Sequence, residues 1–271
     1  MSTTGPTATG ACLVCGTAST LRCSACASKG NIDLFFCSTE HQKLIWPYHR
    51  LVCGERSHPF RLPPFSKEEA DVTYTRATEL PESAKNAELH IQLQKLVLAR
   101  GKYSHEELKP RIYSLIGVEI PMIDHRCKPA DLRGAALGVY GVRMLGTMWT
   151  SPGPPKSPGL AILEAFGGFY HTLLAERDVA DDSLWYSEFC HRVVVQLALM
   201  FIVTSTQERG GSLDDQILKA REDNLIAMRR FSETATDPNL AVLAAASVRS
   251  ADQSLDMLRK LYGTRTMSCL A

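Results

Sequence analysis

From residue 82 onward, apolar residues recur at intervals of three and four, the spacing that lines one face of an α-helix. Leu255, Leu258, Leu261 and Tyr262 show it near the end of the chain, and Ile217, Leu218, Leu225 and Met228 show it earlier. The pattern predicts helices over 82–100, 106–116, 130–150, 160–177, 183–208, 214–234 and 239–262. Breaks between them have chemical causes. Residues 151–159 read Ser-Pro-Gly-Pro-Pro-Lys-Ser-Pro-Gly, which cannot be helix, and Asp237-Pro238 offers an N-cap followed by proline at the first helical position. Strand-like alternation is scarce and no fixed repeat recurs. The expected fold is mainly α, with residues 82–271 an all-helical bundle or irregular superhelix. The charged run Arg221, Glu222, Asp223, Arg229, Arg230 and Glu233 reads as a solvated helix face.

The first 81 residues do not follow this pattern. Residues 1–11 are small and polar and read as a disordered tail. Residues 54–81 open with Gly54-Glu-Arg-Ser-His-Pro-Phe-Arg-Leu-Pro-Pro-Phe65 and read as an extended, proline-rich connector. Between them, residues 12–53 carry Cys12-x2-Cys15-x7-Cys23-x2-Cys26-x10-Cys37-x3-His41-x7-His49-x3-Cys53. Asn31 to Phe36, after a Lys29-Gly30-Asn31 turn, suits a short strand. A helix is expected after Cys37 with Ser38 as its N-cap, and a second one with Pro47 in its first turn. The four-residue steps Cys37–His41 and His49–Cys53 would each place a pair on one helical turn.

Thiolates and imidazoles in this number suffice for two closed tetrahedral zinc sites. Spacing alone leaves the pairing consecutive or crossed. A tandem arrangement would leave each knuckle closing a tiny loop with little core, so the crossed sets are favoured. These are Cys12, Cys15, Cys37 and His41 on one Zn2+, and Cys23, Cys26, His49 and Cys53 on the other. A closed site has no open position for a substrate, so the metal is expected to organise the fold and not to catalyse. Small zinc modules draw most of their folding free energy from ligation. Chelation, or Cys23→Ser, is therefore expected to unfold the first 55 residues and spare the helical region.

The ligand order, with Phe36-Cys37, Gln42 after the sixth ligand, and Trp46-Pro47-Tyr48-His49-Arg50-Leu51-Val52-Cys53 at the end, resembles the MYND zinc finger over residues 12–53. One departure is His41, where that family usually has cysteine; imidazole remains a competent ligand. The resemblance implies a protein-interaction module that binds short proline-containing peptides in a shallow groove, with Gln42 and Trp46 at groove positions. Trp46 could equally pack against the zinc loops, and Gln42 could sit on a solvated helix face. Pro59-Phe-Arg-Leu-Pro-Pro64 has the composition of such peptides and could fill the groove, or the connector could pack on the helical domain through Phe60 and Phe65. Similar connectors follow the finger in many fungal members, so the resemblance also implies a fungal source.

Composition narrows the rest. A hydrophobic content of 45% with 22% charged residues supports a real core beyond the finger. A formal net charge of +1 gives no electrostatic footprint for DNA or RNA. Six of the nine cysteines lie in the array, and Cys127, Cys190 and Cys269 are scattered, which is metal usage in a reducing, intracellular compartment. No strong basic cluster separates nucleus from cytoplasm. Residues 1–10 resemble neither a signal nor a transit peptide, and the apolar run 193–203, broken by Gln196, is too short to cross a bilayer. A soluble protein is expected.

Catalytic signatures are missing: there is no Gly-x-Ser-x-Gly, His-Glu-x-x-His or phosphate-binding glycine loop. His125 with Cys127, and His171 with Cys190 and His191, are more simply satisfied histidines and buried thiols than a third metal or a nucleophile. The reading is a non-enzymatic adaptor whose finger captures a proline-containing segment of a protein partner. One rival is a degenerate SET/MYND methyltransferase-like protein, although no cofactor knot or strand-rich half accompanies the finger. Another is a transcriptional regulator acting on DNA-bound complexes.

Overall fold

The computed structural model describes residues 8–78, 91, 94–95, 97–98, 104–118, 139, 142–143, 184–208, 215–236, 238 and 241–249. The helix expected over 160–177, most of those over 82–100 and 130–150, and the end of 239–262 lie outside the described residues. So do His125, Cys127, His171 and Cys269. The described residues are mainly helical, as the apolar spacing predicts.

Strands β1 (Gly10–Ala11) and β2 (Ala18–Ser19) pair antiparallel, Gly10 with Ser19 and Ala11 with Ala18. Helices follow at α1 (Ser24–Lys29), α2 (Thr39–His49), α3 (Lys67–Thr78), α4 (Leu108–Tyr113), α5 (Leu184–Glu208) and α6 (Asp215–Glu233). Residues 241–249 are helical too. The chain divides into two compact units, 1–57 with 183–271, and 58–182.

The expected boundaries set 12–53 apart from one helical domain over 82–271, whereas by contact 12–53 and 183–271 share a unit. The reason is core size. A segment of some 40 residues cannot cover its own apolar side chains. Leu13, Val14, Ile32, Leu34, Phe36 and Ile45 therefore share one core with Val195 and Leu199 of α5 and Ala220 of α6. Trp185 of α5 stacks on Phe231 of α6 at 4.4 Å between ring centroids, which fixes the two helices at their far ends. Gln196 accepts from the Ser247 hydroxyl at 2.8 Å and donates to the Ser247 carbonyl at 3.2 Å, which attaches the 241–249 helix.

Helix α5 is apolar over more than the 193–203 run. Residues 184–203 have a mean hydropathy of 1.3, enough by length and composition to cross a membrane, and 67% of that window is buried within the structure. Tyr186, Phe189, Val193, Val194 and Ala198 are all buried, the pattern of a helix enclosed on most sides by its own unit.

The 58–182 unit corrects the connector as well. Ser66-Lys-Glu-Glu69 forms a reciprocal cap, in which the Glu69 amide donates to Ser66 Oγ at 3.1 Å and the Ser66 amide donates to Glu69 Oε2 at 2.8 Å. It starts α3 inside the segment expected to be extended. Buried Ala70, Thr73 and Ala77 form its inner face. Phe65, Leu108, Ile112 and Leu115 complete that core with Val97, Leu98, Val139 and Val142. The Arg143 guanidinium pairs with Glu69 at 3.1 Å and donates to the Pro63 carbonyl at 2.8 Å, so the proline-rich stretch is held within this unit. Phe60, Leu62 and Phe65 are buried.

Candidate metal centre

The turn from Cys12 to Cys15 lies between β1 and β2, closed by the Gly16 amide donating to the Cys12 carbonyl at 2.9 Å. The Leu13 amide donates to the Phe35 carbonyl at 2.9 Å, which brings Phe36 and Cys37 alongside the turn. Ser38 caps α2 as expected, accepting from the His41 amide at 3.3 Å, so His41 occupies the first helical turn and faces back toward Cys37. Four ligand atoms converge there. His41 Nδ1 lies 3.1 Å from Cys37 Sγ and 3.7 Å from Cys12 Sγ, and the Cys15 and Cys37 sulfurs are 3.5 Å apart.

The second cluster is built on α1 and the end of α2. Cys23 precedes α1 and Cys26 lies within it; Gly30 and then Asn31, at a left-handed φ of 51°, end the helix. A Cβ at Gly30 would fall 2.4 Å from the Gly54 carbonyl oxygen, so only glycine lets the turn after Cys53 approach α1. His49 Nε2 lies 3.4 Å from Cys23 Sγ and 3.6 Å from Cys26 Sγ, and Cys53 Sγ is 3.6 Å from each of those sulfurs.

The pairing is therefore crossed, and within each set all four ligand atoms lie within 4.8 Å of one another. Zinc at ~2.3 Å from sulfur and ~2.0 Å from nitrogen gives tetrahedral edges of about 3.8 Å between sulfurs and about 3.5 Å from sulfur to nitrogen. The observed separations, 3.1 to 3.7 Å, lie close to or a few tenths of an ångström inside these edges, so two Cys3His sets fit two Zn2+ ions.

Two local expectations are corrected. Helix α2 continues through Pro47, and no second helix starts there. Proline in the last turn forfeits one hydrogen bond, and the chain tightens into a 3-10 turn over Arg50–Val52 before Cys53 becomes extended. His49 and Cys53 thus do not share a helical turn. Residues 31–36 form no strand ladder; Phe35 makes single bridges to Cys12 and to Arg22, because it lies between the two knuckles and serves both.

Ionisation shows what these clusters require. The Cys23 thiol is held far below its ordinary range by hydrogen bonds from Cys26 and Cys53, and Cys53 is pushed far above by the same sharing. Burial, then neighbouring Cys15 and Cys12, raises Cys37 to about 12. Burial alone would lower His49, but its hydrogen bonds with Cys23 and Cys26 prevail and raise it to about 9. Sharing of hydrogen bonds thus lowers Cys23 while Cys53 and His49 hold their protons, and in the first cluster Cys37 holds its own, the behaviour of coupled groups. A divalent cation supplies the charge that lets the remaining thiols ionise, and its binding releases those protons.

The sequence profile of the MYND finger family matches residues 12–53. Over these residues the chain is similar to a MYND finger. No curated protein and no solved structure matches the chain. The MYND finger is a zinc-binding protein-interaction domain. His41, standing where the family usually has cysteine, presents Nδ1 at the fourth corner of the first site.

The finger's two predicted groove residues lie four apart on α2. Ile45, Tyr48 and His49 on the same helix are buried in the core. Trp46 is 45% exposed and Gln42 is half-buried, one turn earlier. The Trp46 ring also lies 6.0 Å from that of His49, so it covers a zinc ligand while presenting a face outward. Three residues outside the ligand array border this centre: Asn224 donates to the Leu13 carbonyl within the finger, and Arg192 and His191 meet the carbonyls of Ala11 and Ser57 that flank it. Nothing local in their sequence marks them, since their partners are 134 to 211 residues away.

Proposed function

We propose that the protein is a non-catalytic adaptor whose MYND finger captures a short, proline-containing segment of a partner protein on the α2 face carrying Gln42 and Trp46. The observation that carries this reading is Trp46, a large aromatic left 45% exposed on a helix whose neighbouring positions Ile45 and Tyr48 are spent on the core. An exposed indole beside a half-buried amide offers an apolar platform and a hydrogen-bonding group, the combination that suits a proline-rich, extended segment. Binding without chemistry is supported by two four-ligand clusters that offer zinc no open position. It is also supported by Cys190, whose thiol is fully buried and held well above the ordinary thiol range by that burial. Clustered metal-ligating thiols suit a reducing, intracellular location.

The test is peptide-array capture by the full-length, zinc-loaded chain beside Trp46→Ala. Trp46→Ala is expected to lose proline-containing peptides by tenfold or more while retaining two zincs. Equal capture by both proteins would remove the groove from this face.

A further inference from the structure

Buried polar side chains of α5 and α6 hold the backbone of the finger and of its two flanks. Asn224 Nδ2 donates to the Leu13 carbonyl at 3.1 Å, between the ligands Cys12 and Cys15. Arg192 Nη2 donates to the Ala11 carbonyl at 3.4 Å, just before Cys12, and its charge is balanced by Glu188 at 2.6 Å. His191 Nε2 lies 3.1 Å from the Ser57 carbonyl, which requires that nitrogen to carry the proton, and the His191 ring lies 5.8 Å from the ring of His49. All three side chains are at most 3% exposed, and Leu13 and Ser57 are buried as well, so the carbonyls that Asn224 and His191 meet gain partners where water does not reach.

Packing is as close as the hydrogen bonding. Gly16 turns the first knuckle at φ +73°, and a Cβ there would lie 2.8 Å from the Ala227 Cβ, a separation no side chain tolerates. Ala220 shares a core with Cys12, Leu13 and Val14. The small residues Ala220 and Ala227, one either side of Asn224, therefore let α6 lie directly on the knuckle that holds the first zinc. Helix α5 reaches the second site through His191, whose ring lies beside that of the ligand His49, and adds Val195 and Leu199 to the shared core.

We infer that α5 and α6 form the outer shell of the two zinc sites, so that zinc ligation and the folding of this carboxy-terminal helix pair are a single linked equilibrium. Groups that orient metal ligands from outside the coordination sphere alter metal affinity about 10–100-fold when removed. Linkage is reciprocal: if docking of the helices tightens zinc, zinc holds the helices docked by the same factor. Zinc loss then releases more than the finger. It frees the apolar face of α5 and turns the array into a zinc-dependent switch of chain conformation. It predicts the opposite of the expectation that chelation unfolds only the first 55 residues, and it is independent of what the α2 face binds.

The test uses the full chain. Hydrogen exchange is followed during zinc removal by a chelator, with zinc release monitored in parallel. Amides of 184–208 and 215–233 are expected to lose protection in step with zinc, while those of 104–118 keep theirs. Retained protection across 184–233 after both zincs have left would overturn the linkage. Asn224→Ala, beside the exposed-position control Ile226→Ala, is expected to bind two zincs at saturation but to hold the first about tenfold more weakly. Equal zinc retention in Asn224→Ala and the control would also overturn it. Should Asn224→Ala fail to fold, the exchange experiment on the natural chain decides by itself.

Discussion

The unit formed by 58–182 is held by groups a helical protein ordinarily uses: a capped α3, a face of Ala70, Thr73 and Ala77 against Leu108 and Ile112, and the buried Arg143–Glu69 pair. No candidate metal cluster occurs among its described residues. The unit formed by 1–57 and 183–271 contains both clusters, and its core mixes cysteine ligands with apolar residues of two distant helices. A small zinc fold has too little apolar surface to close its own core. Here the missing part comes from the other end of the chain, so stability of the finger depends on residues that a finger-sized segment lacks.

Removing a ligand separates the two units most sharply. Cys23→Ser forfeits most of the second site's ligation free energy, on the order of 10 kcal/mol. Zinc content should fall from two to one or fewer per chain, and protection in 184–208 should collapse while 104–118 is unaffected. Loss of protection in both units together would erase the distinction.

The reverse experiment cuts into the 58–182 core. Ile112→Ala empties a fully buried position and should destabilise that unit by about 2–5 kcal/mol in denaturant titration. Zinc stoichiometry should remain two. Loss of zinc in this variant would mean that the units share their stability.

Proton competition should distinguish the sites within the metal-bearing unit. Without zinc, His49 at about 9 and the raised Cys53 both hold protons at neutral pH, as does Cys37 at about 12 in the first cluster. Zinc must displace them, so affinity falls as pH falls. For the second site, two protons correspond to about a hundredfold per pH unit, or ~2.7 kcal/mol. Calorimetry in buffers of different ionisation enthalpy should therefore report three or more protons released per chain at pH 7.5. Release of fewer would refute the proton-holding clusters.

The smallest effect concerns the fit of α6 on the first knuckle. Gly16→Ala forces an alanine to a φ of +73° and toward Ala227, and should cost about 1–3 kcal/mol. Thermal unfolding should show the loss, with faster release of the first zinc. An unchanged melting temperature would mean that α6 is not seated there.

Much of this was legible along the chain. The ligands, the Ser38 cap, and helices α5 and α6 to within a residue or two at each end followed from spacing and apolar period. Helix α3 was overlooked because its inner face is Ala70, Thr73 and Ala77, small residues that barely register as apolar, although Ser66-x-x-Glu69 announced its start. The continuation of α2 through Pro47 could not be seen locally, since proline is ordinarily tolerated in the first turn of a helix and penalised later in it.

The sequence by itself determined the metal and its eight ligands, because thiolates and imidazoles in four short-spaced pairs have few uses other than metal binding. It also determined the mainly helical character of the remainder, because period is a local property. Tertiary structure alone decided which distant helices close the finger's core. Asn224 and Leu13 stand 211 residues apart, and a hydrogen bond between an ordinary asparagine and an ordinary carbonyl has no signature in either neighbourhood. Such partners are chosen by shape and by the need to satisfy buried carbonyls, conditions that exist only once the chain has folded.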